Sequence, residues 1–189
     1  MADVDRKNYQ FEMTTTENFE YLQKFGFVIS NSLPTIVSYS KGDVVVNIFH
    51  GRSSYEVGLE ACLDGVGYSI SEIIRLSDPT AAAEFRNSTA TSPESISTSI
   101  AQMADLMRRY GVKVLDGDRA TFEALAKLRQ DWSRQYELEV RAGQIRPQAD
   151  EAFRSKNYSA AALLYESIKP LLTPAEMAKL ELAAHRAKK

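Results

Sequence analysis

The chain has 189 residues and a net charge of −2, with 44% hydrophobic and 25% charged side chains. These proportions are ordinary for a folded globular protein and argue against general disorder. The small net charge argues against nucleic acid as a partner, because nucleic-acid binders cluster Lys and Arg against the phosphates. A chain of this length is enough for one large domain or two small ones.

The features that bear on the cellular compartment are few. Cys62 is the single cysteine, so no internal disulfide can form, and this favours a reducing compartment. The first ten residues are polar and have no positively charged start followed by an apolar stretch, unlike a secretion signal, and no apolar run approaches the roughly 20 residues that a membrane helix needs. We therefore expect a cytoplasmic protein without a membrane partner.

Residues 27–63 are rich in alternating strand-forming side chains, which predicts an antiparallel sheet. Turns at residues 41–42 and 51–52 would join three strands as two tight hairpins. A strand around residues 27–30 would add a fourth member. The two predicted hairpins rest on separate turn signals, yet they agree on which side chains share a face of the sheet.

The two faces of this predicted sheet differ in character. One face is apolar and is built on Val37, Val46 and Val57. The opposite face would collect the cross-strand pairs Asp43 with Glu60, Asn47 with Glu56, and Val45 with Gly58. Since helices need cover only one side of an antiparallel sheet, we expect this mixed and acidic face to stay open.

Capping patterns predict helices outside the sheet. A Ser or Thr followed three residues later by Glu begins predicted helices at residues 14 and 69. Residues 7–13 alternate weakly and would form an extended arm or an edge strand. Residues 77–92 are rich in Ala, Ser and Thr, which predicts a mobile connection.

The remainder of the chain has the periodicity of helices. An amphipathic stripe follows Ser92-Pro93, and its members are Ile96, Ile100, Met103, Met107 and Tyr110. A long helix is expected from residue 118. The spacing of small and aromatic residues over 149–168 resembles one tetratricopeptide unit, with a further helix after residue 173. A plain helical hairpin with repeat-like packing explains the same spacing.

These patterns together predict an α+β fold: an antiparallel four-stranded sheet with helices on one face, followed by an all-helical C-terminal module. The sheet module would span residues 1–92 and the helical module residues 93–189, with a repeat-like hairpin at 146–188. Because the amphipathic stripe and the apolar sheet face both need a buried partner, we expect the two modules to share one core.

The sequence offers little that could carry out catalysis. His50 and His185 lie in different predicted modules, and neither has a partner at metal-ligand spacing. Cys62 has no base in any nearby pattern. Glu56 and Glu60 would lie about 13 Å apart along one strand, too far for a glycosidase pair. We expect no catalytic residues, no metal site and no cofactor.

Several short motifs are similar to those of a family of small uncharacterised bacterial proteins. They lie at residues 19–27, 106–111, 115–118, 157–158, 164–166 and 172–176, and in the strand motif with His50, Arg52, Ser53, Tyr55 and Glu56. The similarity extends over most of the chain, and its motifs are structural rather than catalytic. Proteins of this kind resemble immunity proteins, which bind and neutralise a bacterial toxin.

The resemblance implies a non-enzymatic protein whose partner is a cognate toxin. It would cover the active site or the target-binding site of that toxin. We expect the open, acidic sheet face to bind a basic target through Asp43, Asn47, Arg52, Glu56 and Glu60, although these carboxylates would also serve simply to keep an edge soluble. The alternative function is a helical repeat-type adaptor that holds a peptide or a partner protein in the hairpin.

Overall fold

The computed structural model describes residues 9–188. The chain divides into two compact units, of which the first ends at Leu128 and the second begins at Arg129. The predicted α+β class is confirmed, with an antiparallel sheet in the first unit and a helical region at the C-terminal end.

The sheet has five antiparallel strands that follow one another in chain order. They are β1 (Val28–Leu33), β2 (Ile36–Lys41), β3 (Val44–His50), β4 (Val57–Leu63) and β5 (Val66–Ser69). The prediction of four strands was wrong, because it missed β5. This strand follows a turn at Asp64 and Gly65, whose φ angles are +52° and +81°. An Asp-Gly pair with two positive φ values is typical of a type I′ hairpin, so the sequence did contain the signal.

The strand registers differ from the predicted ones by even numbers of residues. The chain turns at residues 42–43 between β2 and β3, so Tyr39 pairs with Val46. Between β3 and β4 the loop covers residues 51–56, so Ile48 pairs with Leu59. Side chains alternate between faces with a period of two, and an even shift therefore leaves each on its predicted face. The predicted pairs were wrong, but the assignment of these strand residues to the apolar face was right.

The apolar face of the sheet forms the core of the first unit. Its buried members are Val37, Tyr39, Val44, Val46, Ile48, Val57 and Leu59. The helix α4 (Pro93–Tyr110) buries Ile96, Ile100, Met103 and Met107 in the same hydrophobic cluster. Burial of this kind supplies most of the free energy that stabilises a folded domain. The stripe predicted from residue 96 onward therefore does pack with the sheet.

The short helices of the first unit correct two predictions. Helix α1 (Phe11–Asn18) begins before residue 14 and leads into a 3₁₀ helix (Glu20–Phe25), so Thr14 lies inside a helix rather than at its cap. Residues 11–13, predicted as extended, belong to α1, and residues 7–8 lie outside the described residues. Helix α2 (Ile70–Ser77) begins with the predicted capping box at Ser69.

The predicted mobile connection contains a helix and backbone hydrogen bonds, and its mobility stays a prediction. Helix α3 (Pro79–Glu84) occupies its first part, and the Asp78 side chain accepts a hydrogen bond from the Ala81 amide at its start. The residues that follow run beside the base of the loop 51–56, and Ala90 is fully buried there. A segment rich in small residues can form backbone hydrogen bonds, and composition alone does not show this.

The remaining helices are α5 (Val112–Asp116), α6 (Arg119–Arg154), α7 (Tyr158–Glu166) and α8 (Pro174–Arg186), with a 3₁₀ turn (Lys169–Leu171) before the last. In the second unit α6, α7 and α8 bury a compact cluster of Ala149, Ala161, Tyr165, Leu180 and Ala183. The predicted cap at Thr173 is present and accepts a hydrogen bond from the Glu176 amide. The similarity to a tetratricopeptide unit stays a prediction.

A carboxylate links the three helices of the second unit. Asp150 on α6 accepts hydrogen bonds from the Lys179 ammonium on α8 and from the Tyr165 hydroxyl on α7. The pKa of Asp150 is lowered, chiefly by the bond from Lys179 and then by the bond from Tyr165. The ionised form of this side chain therefore stabilises the folded second unit.

We predict that Val46→Ala lowers the free energy of unfolding by about 2 kcal/mol, because it leaves a cavity in the centre of the core. Val46 is fully buried on the central strand of the sheet. Urea unfolding followed by circular dichroism measures the loss. The matched control Val66→Ala, at an exposed strand position, should change the free energy by less than about 0.5 kcal/mol. Equal losses in the two variants would contradict this account of the core.

A second prediction concerns how the contribution of Asp150 to stability depends on pH. The pKa of folded Asp150 lies below the 3.8 of an ordinary aspartate. Its contribution to stability is therefore complete at neutral pH and is lost as the pH falls through the folded-state pKa. Asp150→Asn should lower the melting temperature at neutral pH, and its difference from the parent protein should shrink in acid. Glu151→Gln, the neighbouring exposed carboxylate, is the control. A constant difference at every pH would show that the Asp150 charge is not involved.

Candidate functional site

The side of the sheet opposite the core carries three rows of side chains that cross the strands. The rows are Leu33, Ile36, Phe49 and Gly58; then Asn31, Ser38, Asn47, Glu60 and Ser69; then Val28, Ser40, Val45, Cys62 and Gly67. Most of these side chains are half-buried or exposed, in contrast to those of the core face. The first row is apolar, the second is polar, and the third is small and weakly apolar.

The apolar row lies at the end of the sheet where β3 leads into the loop 51–56. Phe49 covers the neighbouring Gly58, and a Cβ atom placed on Gly58 would come within 2.4 Å of the Phe49 ring. The aromatic ring therefore lies flat against the strand because its neighbour has no side chain. Ile36 pairs with Phe49 on one side and with Leu33 on the other, so the row continues to the edge of the sheet.

The polar row is held together by a hydrogen bond in its centre. The Asn47 amide donates to Glu60 Oε1 at 2.9 Å and lies 3.7 Å from Cys62 Sγ. Gly67 on β5 leaves room for these groups, because a Cβ atom there would come within 2.9 Å of Glu60 Oε2. The Glu60 carboxylate is thus fixed in position on this face.

The loop 51–56 is closed by its own backbone. The Gly51 amide donates to the Glu56 carbonyl at 2.8 Å, and the Tyr55 amide donates to the Gly51 carbonyl at 3.0 Å. Tyr55 has a φ of +56°. A bulky residue rarely adopts this left-handed conformation, and it persists where the surroundings hold it in place. The side chains of residues 52–56 are exposed.

Residues 88–90, which precede α4, form hydrogen bonds with the loop 51–56 and its base. The Ala90 amide donates to the Tyr55 carbonyl at 2.8 Å, and the Val57 amide donates to the Ser88 carbonyl at 3.0 Å. The His50 ring is buried, and its Nε2 lies 2.9 Å from the Ala90 carbonyl, to which it donates. The same ring lies 5.8 Å from the Tyr55 ring. His50 is therefore a part of the support for the loop.

The structure divides the five predicted partner-binding residues among three places. Asp43 lies in the turn at the opposite end of the sheet, where Arg119 Nη2 is 3.4 Å from its carboxylate. Asn47 and Glu60 pair in the polar row, whereas the predicted pairs were Asn47 with Glu56 and Asp43 with Glu60. Arg52 and Glu56 lie in the loop. The longer loop is the physical reason, because it removes Glu56 from β4. Their role in binding stays a prediction.

The environment of Cys62 disfavours reactivity. Burial raises the pKa of its thiol, and the nearby Glu60 carboxylate raises it further. The thiolate is the nucleophilic form of cysteine, so a raised pKa makes this side chain a poor nucleophile at neutral pH. Cys62 instead contributes a small apolar surface to its row.

The first unit also has a cleft of about 540 Å³ beside α2, α4 and the start of α6. Its wall includes Ile73, Leu76 and Val112 together with Arg109, Lys113 and Asp118. Charges of both signs are present, so the cleft has no clear preference for an anion or a cation. Within residues 9–188, no group of three or more His, Cys, Asp or Glu side chains could hold a metal ion. No helix in that range is long and apolar enough to span a bilayer.

Comparisons with models of known protein families, with curated proteins and with solved structures find no match to this chain.

We predict that Gly58→Ala and Gly143→Ala change stability in opposite directions. The new methyl group at residue 58 would push the Phe49 ring off the strand and lower the free energy of unfolding by about 1 kcal/mol. Gly143 lies inside α6 with nothing within 4 Å of its added Cβ. Alanine there should raise the free energy by about 0.5–1 kcal/mol, because glycine weakens helices. Urea unfolding measures both changes, and a shift of the Phe49 ring resonances in the NMR spectrum should accompany the first alone.

Proposed function

We propose that this chain is a non-enzymatic protein-binding protein of the toxin-immunity kind. It binds its cognate toxin through the loop-end surface, defined here as the loop 51–56 together with Ile36 and Phe49, and thereby covers the active or target-binding site of the toxin. The observation that carries the proposal is a backbone-braced loop with exposed polar side chains, adjacent to an apolar row.

The rigidity of the loop supports a binding role. Ordering a loop on association costs conformational entropy, and a loop that is already held loses less of it. The hydrogen bonds to residues 88–90 and the buried His50 meet this requirement. The exposed tip carries Arg, Ser and Tyr, residue types that are common in the binding loops of proteins that recognise other proteins.

The composition of the loop-end surface suits a protein partner better than a small ligand. Apolar and aromatic side chains at the centre of an interface supply most of its affinity. Ile36 and Phe49 fill that position here, and Arg52 and Glu56 lie beside them to select and orient the partner by charge. The fixed Glu60 carboxylate adds negative charge on the same face, which favours a basic partner.

The test uses the product of the gene adjacent to the one that encodes this chain. That product is expressed in a bacterial host with and without this protein, and its binding is measured by biolayer interferometry. We expect growth inhibition by the product to be relieved when this protein is present. Ile36→Lys should raise the dissociation constant at least 30-fold, as substitution of an interface hot spot does. The matched control Val66→Lys places the same charge on β5 and should bind like the parent.

The same experiment distinguishes the alternative, a helical adaptor that binds a peptide or partner through its repeat-like hairpin. Leu163 is an exposed apolar side chain on α7 in that hairpin. If Leu163→Lys abolishes binding and Ile36→Lys does not, the adaptor replaces the immunity proposal. Either conclusion requires that all variants have the melting temperature of the parent protein.

A further inference from the structure

The outer strand β1 has the properties of a strand that pairs with another chain. It pairs with β2 on one side, and within residues 9–188 no strand lies on the other. All six of its side chains are exposed, including Val28 at 64% and Leu33 at 50%. Soluble proteins usually protect such an edge with charged residues, proline or a β-bulge. Residues 28–33 contain no charged residue and no proline, and β1 has one register irregularity, between Ile29 and Asn31.

The other edge of the sheet is different. Strand β5 has four residues, and the ring of its Tyr68 lies 5.9 Å from the Phe122 ring in the core of the first unit. The turn that leads into it carries Asp64, whose carboxylate is 3.3 Å from the Arg119 guanidinium. A short strand with a charged pair beside it is a poor template for further pairing.

β1 is complementary to an antiparallel copy of itself. The irregularity between Ile29 and Asn31 changes the alternation, so Val28 and Leu33 both lie on the face opposite the core. When two such strands are placed antiparallel with Val28 opposite Leu33, paired side chains lie on the same face at both ends. Each Val28 then meets a Leu33 of the other copy, and this apolar contact occurs twice by symmetry.

The charged groups near the two ends of β1 have opposite signs. At one end the Ser32 hydroxyl donates to Glu12 Oε1 at 3.1 Å, which places a carboxylate there. At the other end the Lys41 ammonium lies 5.5 Å from the centre of the Phe27 ring, one residue before the strand. Antiparallel pairing brings the carboxylate end of one copy towards the ammonium end of the other. The contact is thus free of like-charge repulsion from these groups.

We infer that two copies of this chain pair through β1 to form a two-fold symmetric dimer with one continuous sheet. A symmetric contact of this type uses the same patch on both subunits and closes on itself. The apolar row that ends at Leu33 continues onto Val28 of the second copy. This inference does not depend on the proposed function, since it is argued from the edge of β1, and no residue of the loop-end surface belongs to that strand.

Analytical ultracentrifugation of the full chain tests the dimer, from low micromolar to several hundred micromolar concentration. The apparent mass should rise from 21.1 kDa towards twice that value. Val28→Lys with Leu33→Lys places like charges opposite each other and should raise the dimer dissociation constant at least tenfold. The control Val66→Lys with Leu163→Lys adds the same charge at exposed apolar positions elsewhere, and it should dimerise like the parent. A monomeric mass at every concentration, or an unchanged constant in the β1 variant, would overturn the inference.

Disulfide trapping tests the register. In a Cys62→Ser background, Val28→Cys with Leu33→Cys should give a covalent dimer on mild oxidation. Val28→Cys with Ser32→Cys places the second thiol on the other face of the sheet and should give much less. Equal yields from the two variants would show that β1 does not pair in this register, and the proposed dimer would then be wrong.

Discussion

The contact between the apolar side of β3 and the helices that cover it is the interaction on which the first unit depends. β3 is the central strand, and Val44, Val46 and Ile48 alternate with side chains that face the other way. Once this side is buried, the period of two in a strand leaves Val45, Asn47 and Phe49 on the opposite face. The core thus determines which residues are available for binding, although Val45, Asn47 and Phe49 are not themselves part of the core.

The loop 51–56 shows how backbone bonds can hold a polar segment that side-chain packing would not. The Gly51 and Tyr55 amides donate to carbonyls within the loop, and the Tyr55 carbonyl accepts from the Ala90 amide. Buried backbone groups need such partners, and the connection before α4 provides them. The connection therefore has a structural purpose that its composition of small residues does not indicate. It also explains why a residue as bulky as Tyr55 is held at a positive φ.

In this protein the sequence predicts which side of a strand or helix is buried better than it predicts the length of a turn. The apolar side of the sheet, the cap at Ser69, the stripe of α4 and the cap at Thr173 were all predicted, because each depends on local periodicity or a local hydrogen bond. The length of the β3–β4 loop was not predicted, because Gly51-Arg52 also fits a two-residue turn. That error placed Glu56 on the sheet beside Asn47, whereas the longer loop of the structure removes it from β4. The bonds from the Val57 amide to Ser88 and from the Ala90 amide to Tyr55 join backbone atoms, which leave no side-chain pattern to find.

The size of the side chain at residue 58 is coupled to the size of the side chain at residue 49. The ring occupies the space that any side chain at residue 58 would fill. A larger residue at 58 therefore becomes acceptable when residue 49 is smaller, and the two substitutions have strongly non-additive effects on stability. Relatives of this chain could then exchange bulk between β3 and β4 while they keep the same strand pairing. Such an exchange would change the shape of the surface and its partner preference without any change in the fold.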